Sequence, residues 1–400
     1  MLDAIKQAAD AVFPDVVRLR RTIHQNPELS RQEHETARLV HETLEPLDGV
    51  DVQTGLFETG VMATIAGDRP GPTRLLRADM DALPIEEETG LEFASTNPGV
   101  MHACGHDAHT ASLLGTAMIL HRLRDRLPGS VRLVFQPAEE RVPGGAKFMI
   151  EEGVLAANGT DAPEAVFGQH VAPDLPVGTI GVCAGPYMAS ADELYLTVHG
   201  EGGHAARPHE LQADATYVAA QLVTALQSVI SRHRPPTVPS VLTIGELQAD
   251  GATNVIPDTA RLVGTFRAMD EDWRFRAHDL IRRTATHTAQ AHGATVDLDL
   301  KVGYPALHNH EQPTALVREA AHDYVGPERT VELDPALVAE DFAYFLLERP
   351  GSFYRLGVGN EEKGITHGLH TSQFDLDEEA LRLGPGFMAY VAWKQGRAQR

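Results

Sequence analysis

The rhythm of hydrophobic and polar positions changes twice along the chain. In the first third, short apolar runs (VMATIAG, TRLLRAD, SVRLVFQP, AVFGQH) alternate with stretches such as ASLLGTAMILHRL and GAKFMIEEGVL, whose apolar residues recur every three or four positions. The runs are of strand length and the stretches have helical period. Their alternation predicts a largely parallel sheet covered by helices. Within SRQEHETARLVHETL, Ser30 and Glu33 stand at the spacing of a capping box and predict the start of an amphipathic helix.

Near residue 185 the rhythm becomes strand (DELYLTVHG), helix (ADATYVAAQLVTALQSVISR), two consecutive strands (PSVLTIGELQA, ARLVGTFRAM), helix (EDWRFRAHDLIRRTATHTAQAH) and strand (ATVDLDLKV). That β-α-β-β-α-β order is the ferredoxin-like pattern. It predicts an inserted α+β satellite over 185–299 within a larger domain built from 1–184 and 300–400. After residue 300 the first rhythm resumes through RTVELD, EDFAYFLLE, SFYRLGVG and a last helix from DEEALRLG onward.

With 400 residues, 42% of them hydrophobic, the chain can bury two cores. Its 34 Lys and Arg against 56 Asp and Glu give a formal charge of −22, which argues against nucleic-acid or anionic-membrane partners. The two cysteines, Cys104 and Cys183, are too few for a disulfide framework. Cys183, in TIGVCAG, reads as a buried structural thiol. The N-terminal stretch lacks a signal-peptide core, and ATYVAAQLVTALQSVI is too short and polar to span a bilayer. A cytoplasmic protein is expected.

Candidate chemistry collects where strands end. Asp79 and Asp81 follow TRLLRA, Glu139 and Glu140 follow SVRLVFQ, and His170 ends AVFGQ. In open α/β sheets, sites lie beyond the carboxyl ends of strands. The segment HACGHDAH (102–109) precedes a helix that should start on the same edge, and His370 in HGLHTSQF is a further candidate. Thiolate, imidazole and carboxylate together suit zinc or a similar divalent ion. Cys104 and His106 straddle Gly105, a spacing that lets both converge on one ion. The extra carboxylates favour a metal ligand over a nucleophile for Cys104. Adjacent Glu139 and Glu140 can divide two tasks, one holding metal and the other carrying protons. Of 20 histidines, His24, His34, His41 and His121 fall in ordinary helical patterns, and His102 and His109 read as structural or supporting. GEGGHAARPH resembles a phosphate loop but lacks its lysine and setting, so on sequence alone His204 is as readily a flexible-loop residue as a functional one.

Taken together, LRADMDALPIEEETG, MHACGHDAHT, QPAEE, GQHV, GGHAARPH, TNVIPD, GTFRAMD, AEDFAYF, GLHTSQF and the early RRTIHQNPELS resemble the metal-dependent N-acyl-amino-acid amidohydrolases, the group of hippurate hydrolase and the indoleacetyl-amino-acid hydrolases. The resemblance runs over nearly the whole chain, and MHACGHD is its most specific part. It implies a zinc-peptidase-like catalytic domain, a satellite that closes as a lid and can join chains into a homodimer or higher homo-oligomer, and hydrolysis of an N-acyl amino acid. Carried across, Cys104, His106, Glu140, His170 and His370 would hold one or two divalent ions: zinc or manganese, with cobalt and nickel as alternatives. Glu139 would be the general base and Asp81 a supporting carboxylate. His204 would stabilise the oxyanion, and Asn254 and Arg267 would grip the substrate carboxylate. Asp79 stands where distant relatives have a histidine ligand, so its role stays open.

Ala339 in AEDF, Thr371 and Ser372 after His370, and Glu201 before GGH depart from the usual pattern. Each bears on pocket or lid contacts, and none removes an expected ligand. The rival readings are a metallocarboxypeptidase or dipeptidase with the same metal and base, a non-catalytic metal-binding protein, and a structural zinc site. The last two leave Glu139 without a purpose.

Overall fold

A computed structural model describes residues 1–157 and 159–397. They form two compact units: Met1–Gly185 with His308–Asp334 and Asp341–Arg400, and Pro186–Leu307 with Pro335–Glu340. The second unit thus takes in residues 300–307 and a short return segment.

The first unit is built on an eight-stranded sheet. Its middle consists of four parallel neighbours in the order Pro128–Gln136, Arg69–Asp79, Ala165–Pro176 and Gly351–Gly359. Val50–Leu56 and Gly60–Ala66 extend one side as antiparallel partners, and Ile180–Val182 with Thr330–Glu332 extend the other. The mixed, mostly parallel sheet expected from the apolar runs is present. The central strands are buried on both faces, which is why they read as continuous Val, Leu and Phe runs instead of alternating ones. Helices Leu2–Gln25, His106–Arg122 and Ala380–Gln395 pack together on the sheet, and Val16, Leu114, Leu120, Phe387 and Val391 are among the residues sealed inside.

Register brings the chemistry to one level. Asp79 pairs with Gln136 across the parallel ladder, and Arg77 pairs with Gly168, two residues before His170. The strand expected to stop at His170 runs on to Pro176, so this imidazole projects from within a strand.

The capping box at Ser30 does not form. The helix begins at His34, and its first amides are held from outside: the Glu35 and Thr36 N–H groups donate to the Glu28 carboxylate at 3.0 and 2.9 Å. Ser30 and Glu33 turn inward, Ser30 Oγ donating to Asp81 Oδ2 at 2.6 Å and Glu33 lying fully buried. Local capping preference has yielded to bonds made elsewhere in the fold.

The second unit has the ferredoxin-like order. Its four antiparallel strands run Ser240–Gln248, Thr259–Ala268, Asp192–His199 and Thr295–Val302 across the sheet. Alternate residues Leu194, Leu196 and Val198 are buried together with residues of helices Ala215–Ser228 and Glu271–Ala291. One face of the sheet therefore carries this core. Buried Asp192 accepts from Arg274 Nε at 2.9 Å, His278 Nε2 at 2.7 Å and the Gly303 amide at 3.1 Å, tying one helix to two strand ends.

Candidate metal centre

The segment HACGHDAH is half loop and half helix. Gly105, with φ +82°, turns the chain, and His106 is the first helical residue. A side chain at Gly105 would meet Val171 Cγ2 at 2.5 Å in a conformation that L-residues rarely adopt, so glycine is required between Cys104 and His106.

Four separate parts of the first unit bring Cys104, His106, Glu140, His170 and His370 together. Cys104 Sγ lies 3.4 Å from His170 Nε2 and 3.3 Å from His370 Nε2. His370 Nε2 is 3.2 Å from Glu140 Oε1, which is 3.9 Å from His106 Nε2. Two triads result, Cys104–His106–His170 and Cys104–Glu140–His370, each with its ligand atoms within 4.8 Å of one another and both containing the thiol. Glu139, buried, joins His106 and Glu140 in a third such group, and its Oε1 lies 3.4 Å from the Asp341 amide.

The ring tautomers suit a cation. His106 Nδ1 donates to the Asp81 carbonyl at 2.8 Å and His170 Nδ1 to the Val171 carbonyl at 2.7 Å. Each ring therefore turns its Nε2 to the centre. His106 Nε2 is buried with no hydrogen-bond partner among the described residues, and Glu140 Oε1 has His370 Nε2 beside it at 3.2 Å. An orphaned polar atom is costly in a protein interior, and one set among sulfur, nitrogen and oxygen donors fits a divalent ion.

Electrostatics agree. Hydrogen bonds donated to Cys104 and Glu140 push the His370 imidazole up to about 10. Burial opposes charge on His106, but Asp79, Cys104 and Asp81 outweigh it and hold its pKa well above the ordinary value. The Cys104 thiol is raised by burial and by Glu140. His170 goes the other way, held well below the ordinary value by burial and then by Arg355. The centre thus draws protons onto two imidazoles where a cation would satisfy the same negative groups.

Around it lies a shell that sequence reasoning only partly found. Asp81 grips the amides of both Glu139 and Glu140, each at 3.0 Å. Arg77, fully buried, binds Asp79 and Asp341 at 2.6 Å each and Gln136 at 2.8 Å. Its sequence signal is an arginine amid the apolar run TRLLRAD. His24, which reads as an ordinary helical histidine, is buried with Nδ1 2.8 Å from Asp107 Oδ2, and Arg20 Nε reaches the same oxygen at 2.8 Å. His102 is buried with both ring nitrogens unpartnered among the described residues, and burial lowers its pKa to about 3.

The other three expected residues belong to the second unit. His204 pairs with Val255 in a two-stranded ladder, next to Asn254, whose carbonyl accepts the Ala205 amide at 3.0 Å. His204 Nδ1 accepts the Ala206 amide at 3.1 Å, which leaves Nε2–H as the donor. Arg267 lies half-buried in the strand Thr259–Ala268, opposite Val241.

Residues 75–394 match the model of peptidase family M20/M25/M40. The chain belongs to this family of hydrolases. It is 41% identical over 397 residues, 98% of each chain, to thermostable carboxypeptidase 1 of Saccharolobus solfataricus. It is 43% identical over 310 residues, 78% of this chain and 82% of the other, to an N-acyl-L-amino acid amidohydrolase of Geobacillus stearothermophilus. The crystal structure of the Bacillus subtilis YXEP protein, described as a dinuclear metal binding peptidase of the M20 family, superposes with a TM-score of 0.81 at 37% identity, covering 96% of this chain and 98% of that one. The protein is a metal-dependent hydrolase of amide bonds. Among the described residues no helix is long and apolar enough to cross a membrane.

Proposed function

We propose that the protein hydrolyses the amide bond of N-acyl amino acids, releasing a carboxylic acid and a free amino acid. One observation carries the reading: a buried carboxylate, Glu139, stands beside Glu140 at a donor cluster that already has two imidazole nitrogens and a thiol. A structural site has no use for that extra acid.

In this reading Cys104, His106, Glu140, His170 and His370 would hold the ion or ions. A bound divalent ion would supply Lewis acidity, bringing the pKa of water to about 7 and polarising the amide carbonyl. Glu139 takes the proton of the attacking water on a carboxylate oxygen and delivers it to the departing amine nitrogen. His204 Nε2–H stabilises the charge that develops on the carbonyl oxygen. Asn254 and Arg267 hold the free carboxylate of the substrate, Arg267 through both arms of its guanidinium. The similarity to an amidohydrolase of stated N-acyl specificity supports the substrate class.

Similarity to a carboxypeptidase supports a second reading, cleavage of short peptides by the same groups. Turnover of acetyl-, benzoyl- and indoleacetyl-amino acids and of dipeptides, by protein stripped of metal and then given Zn2+ or Mn2+, separates the two. Metal-restored release from the acylated substrates is expected. Release from dipeptides alone promotes the peptidase, and no turnover in folded, metal-loaded protein overturns both.

A further inference from the structure

Glu139 and Glu140 are reached through an unusual residue. Ala138 has φ +54°, in the left-handed region, and is buried. For a residue with a Cβ this conformation is unfavourable and persists only where its surroundings impose it. It also decides which way the next two side chains leave the backbone.

The backbone here is gripped at three successive amides. Ala138 N–H donates to Glu33 Oε1 at 2.9 Å, while the Glu139 and Glu140 amides take the two oxygens of Asp81. The Ala138 carbonyl accepts the Gly145 amide at 2.9 Å. Glu33 is itself fixed: Oε1 also accepts the Arg31 amide at 3.0 Å, and Oε2 accepts the Thr59 hydroxyl at 2.7 Å. Its side chain caps no helix. Among the described residues this fully buried acid serves neither a cap nor an ion pair, and its bonds go to Arg31, Thr59 and Ala138.

We infer that Glu33 is a positioning residue for the centre, locking the left-handed turn at Ala138 so that Glu140 faces the ion and Glu139 the substrate. This rests on the roles given above to Glu139 and Glu140. Glutamine at 33 has an oxygen for the Ala138 and Arg31 amides and an amide group for Thr59, so it preserves the clamp. Alanine removes it. Glycine at 138 lowers the cost of the left-handed turn and makes the clamp less necessary.

The test is Mn2+ affinity by calorimetric competition with a chelator, together with kcat on an N-acyl amino acid, in variants checked for folding by circular dichroism. Glu33→Ala is expected to weaken Mn2+ binding by about tenfold or more and to lower kcat. Glu33→Gln should stay close to wild type, and adding Ala138→Gly to Glu33→Ala should recover part of both losses. Glu33→Asp keeps the acid but withdraws it by one methylene, so it should show the loss even if Glu33→Ala does not fold. Wild-type affinity and kcat in Glu33→Ala or Glu33→Asp overturn the inference, as does equal loss in Glu33→Gln and Glu33→Ala with no recovery from Ala138→Gly. Controls test the underlying reading separately. Glu140→Ala must lose metal, and Glu139→Ala must keep metal and lose turnover.

Discussion

His109 Nδ1 lies 2.6 Å from Asp79 Oδ1, while its Nε2 accepts the Val171 amide at 2.9 Å. Only one tautomer fits: neutral, with the proton on Nδ1 and donated to Asp79. Both oxygens of Asp79 are then engaged, Oδ1 by His109 and Oδ2 by Arg77. Asp79, whose role the sequence left open, joins the helix that carries His106 to the strands behind it. Asp79→Asn strips the charge from a buried pair and is expected to lower stability by about 3–5 kcal/mol. Metal affinity should fall by about 10–100-fold as His106 loses support. Urea unfolding and chelator competition measure the two, and wild-type values in both would show that the network does not matter.

Glu139→Gln keeps the size and burial of the side chain but cannot take a proton. It is expected to lower kcat by about 10²–10⁴ while Mn2+ affinity stays near wild type. A matching loss of metal would make Glu139 a ligand instead of a base.

Metal uptake should release protons. Cys104 and Glu140 hold His370 near 10, His106 is well above the ordinary imidazole value, and the Cys104 thiol is also raised. At neutral pH all three carry protons that ligation displaces. Affinity should therefore rise with pH. Calorimetry in buffers of different ionisation enthalpy counts the protons, and heats that do not depend on the buffer would contradict this account.

Glu33 gives a pH signature of stability. Burial and then the charge of Asp81 raise its pKa to about 7 from 4.5. A carboxyl whose pKa is raised by folding favours the folded state fully below the unfolded value, and that contribution is lost as pH climbs through 7. Over this window the loss is about 3 kcal/mol. In urea unfolding of metal-stripped protein at pH 5 and pH 8, Glu33→Gln should remove most of this slope. An unchanged slope would place the titration elsewhere.

The strand and helix order was readable because buried parallel strands and amphipathic helices leave different periods in the sequence. The strand Val50–Leu56 was missed because it is an edge strand, mostly exposed and without an apolar run. The ligand candidates stood out by residue type and by their place after apolar runs. What escaped were side chains whose partners are distant in sequence. Ser30 and Glu33 satisfy a local capping rule, yet their bonds reach Asp81, Thr59 and Ala138. His24 sits in a regular helical pattern and is committed to Asp107, 83 residues away. No period or short motif encodes such a pairing. An arginine or acid at a position that should be apolar, as at Arg77, is the nearest one-dimensional trace of it.

The insertion also sets an order of assembly during synthesis. Ala165–Pro176 lies in the middle of the first sheet, but its neighbour Gly351–Gly359 is encoded after the whole second unit. At about 5–20 residues per second, the 200 residues between His170 and His370 take roughly 10–40 s to emerge from the ribosome. Until Gly351–Gly359 has been made, Ala165–Pro176 lacks that neighbour, whereas the inserted unit has all its own sheet strands once residue 302 is made. Because His370 arrives last, the five proposed ligands exist together only in a chain that has been read past both.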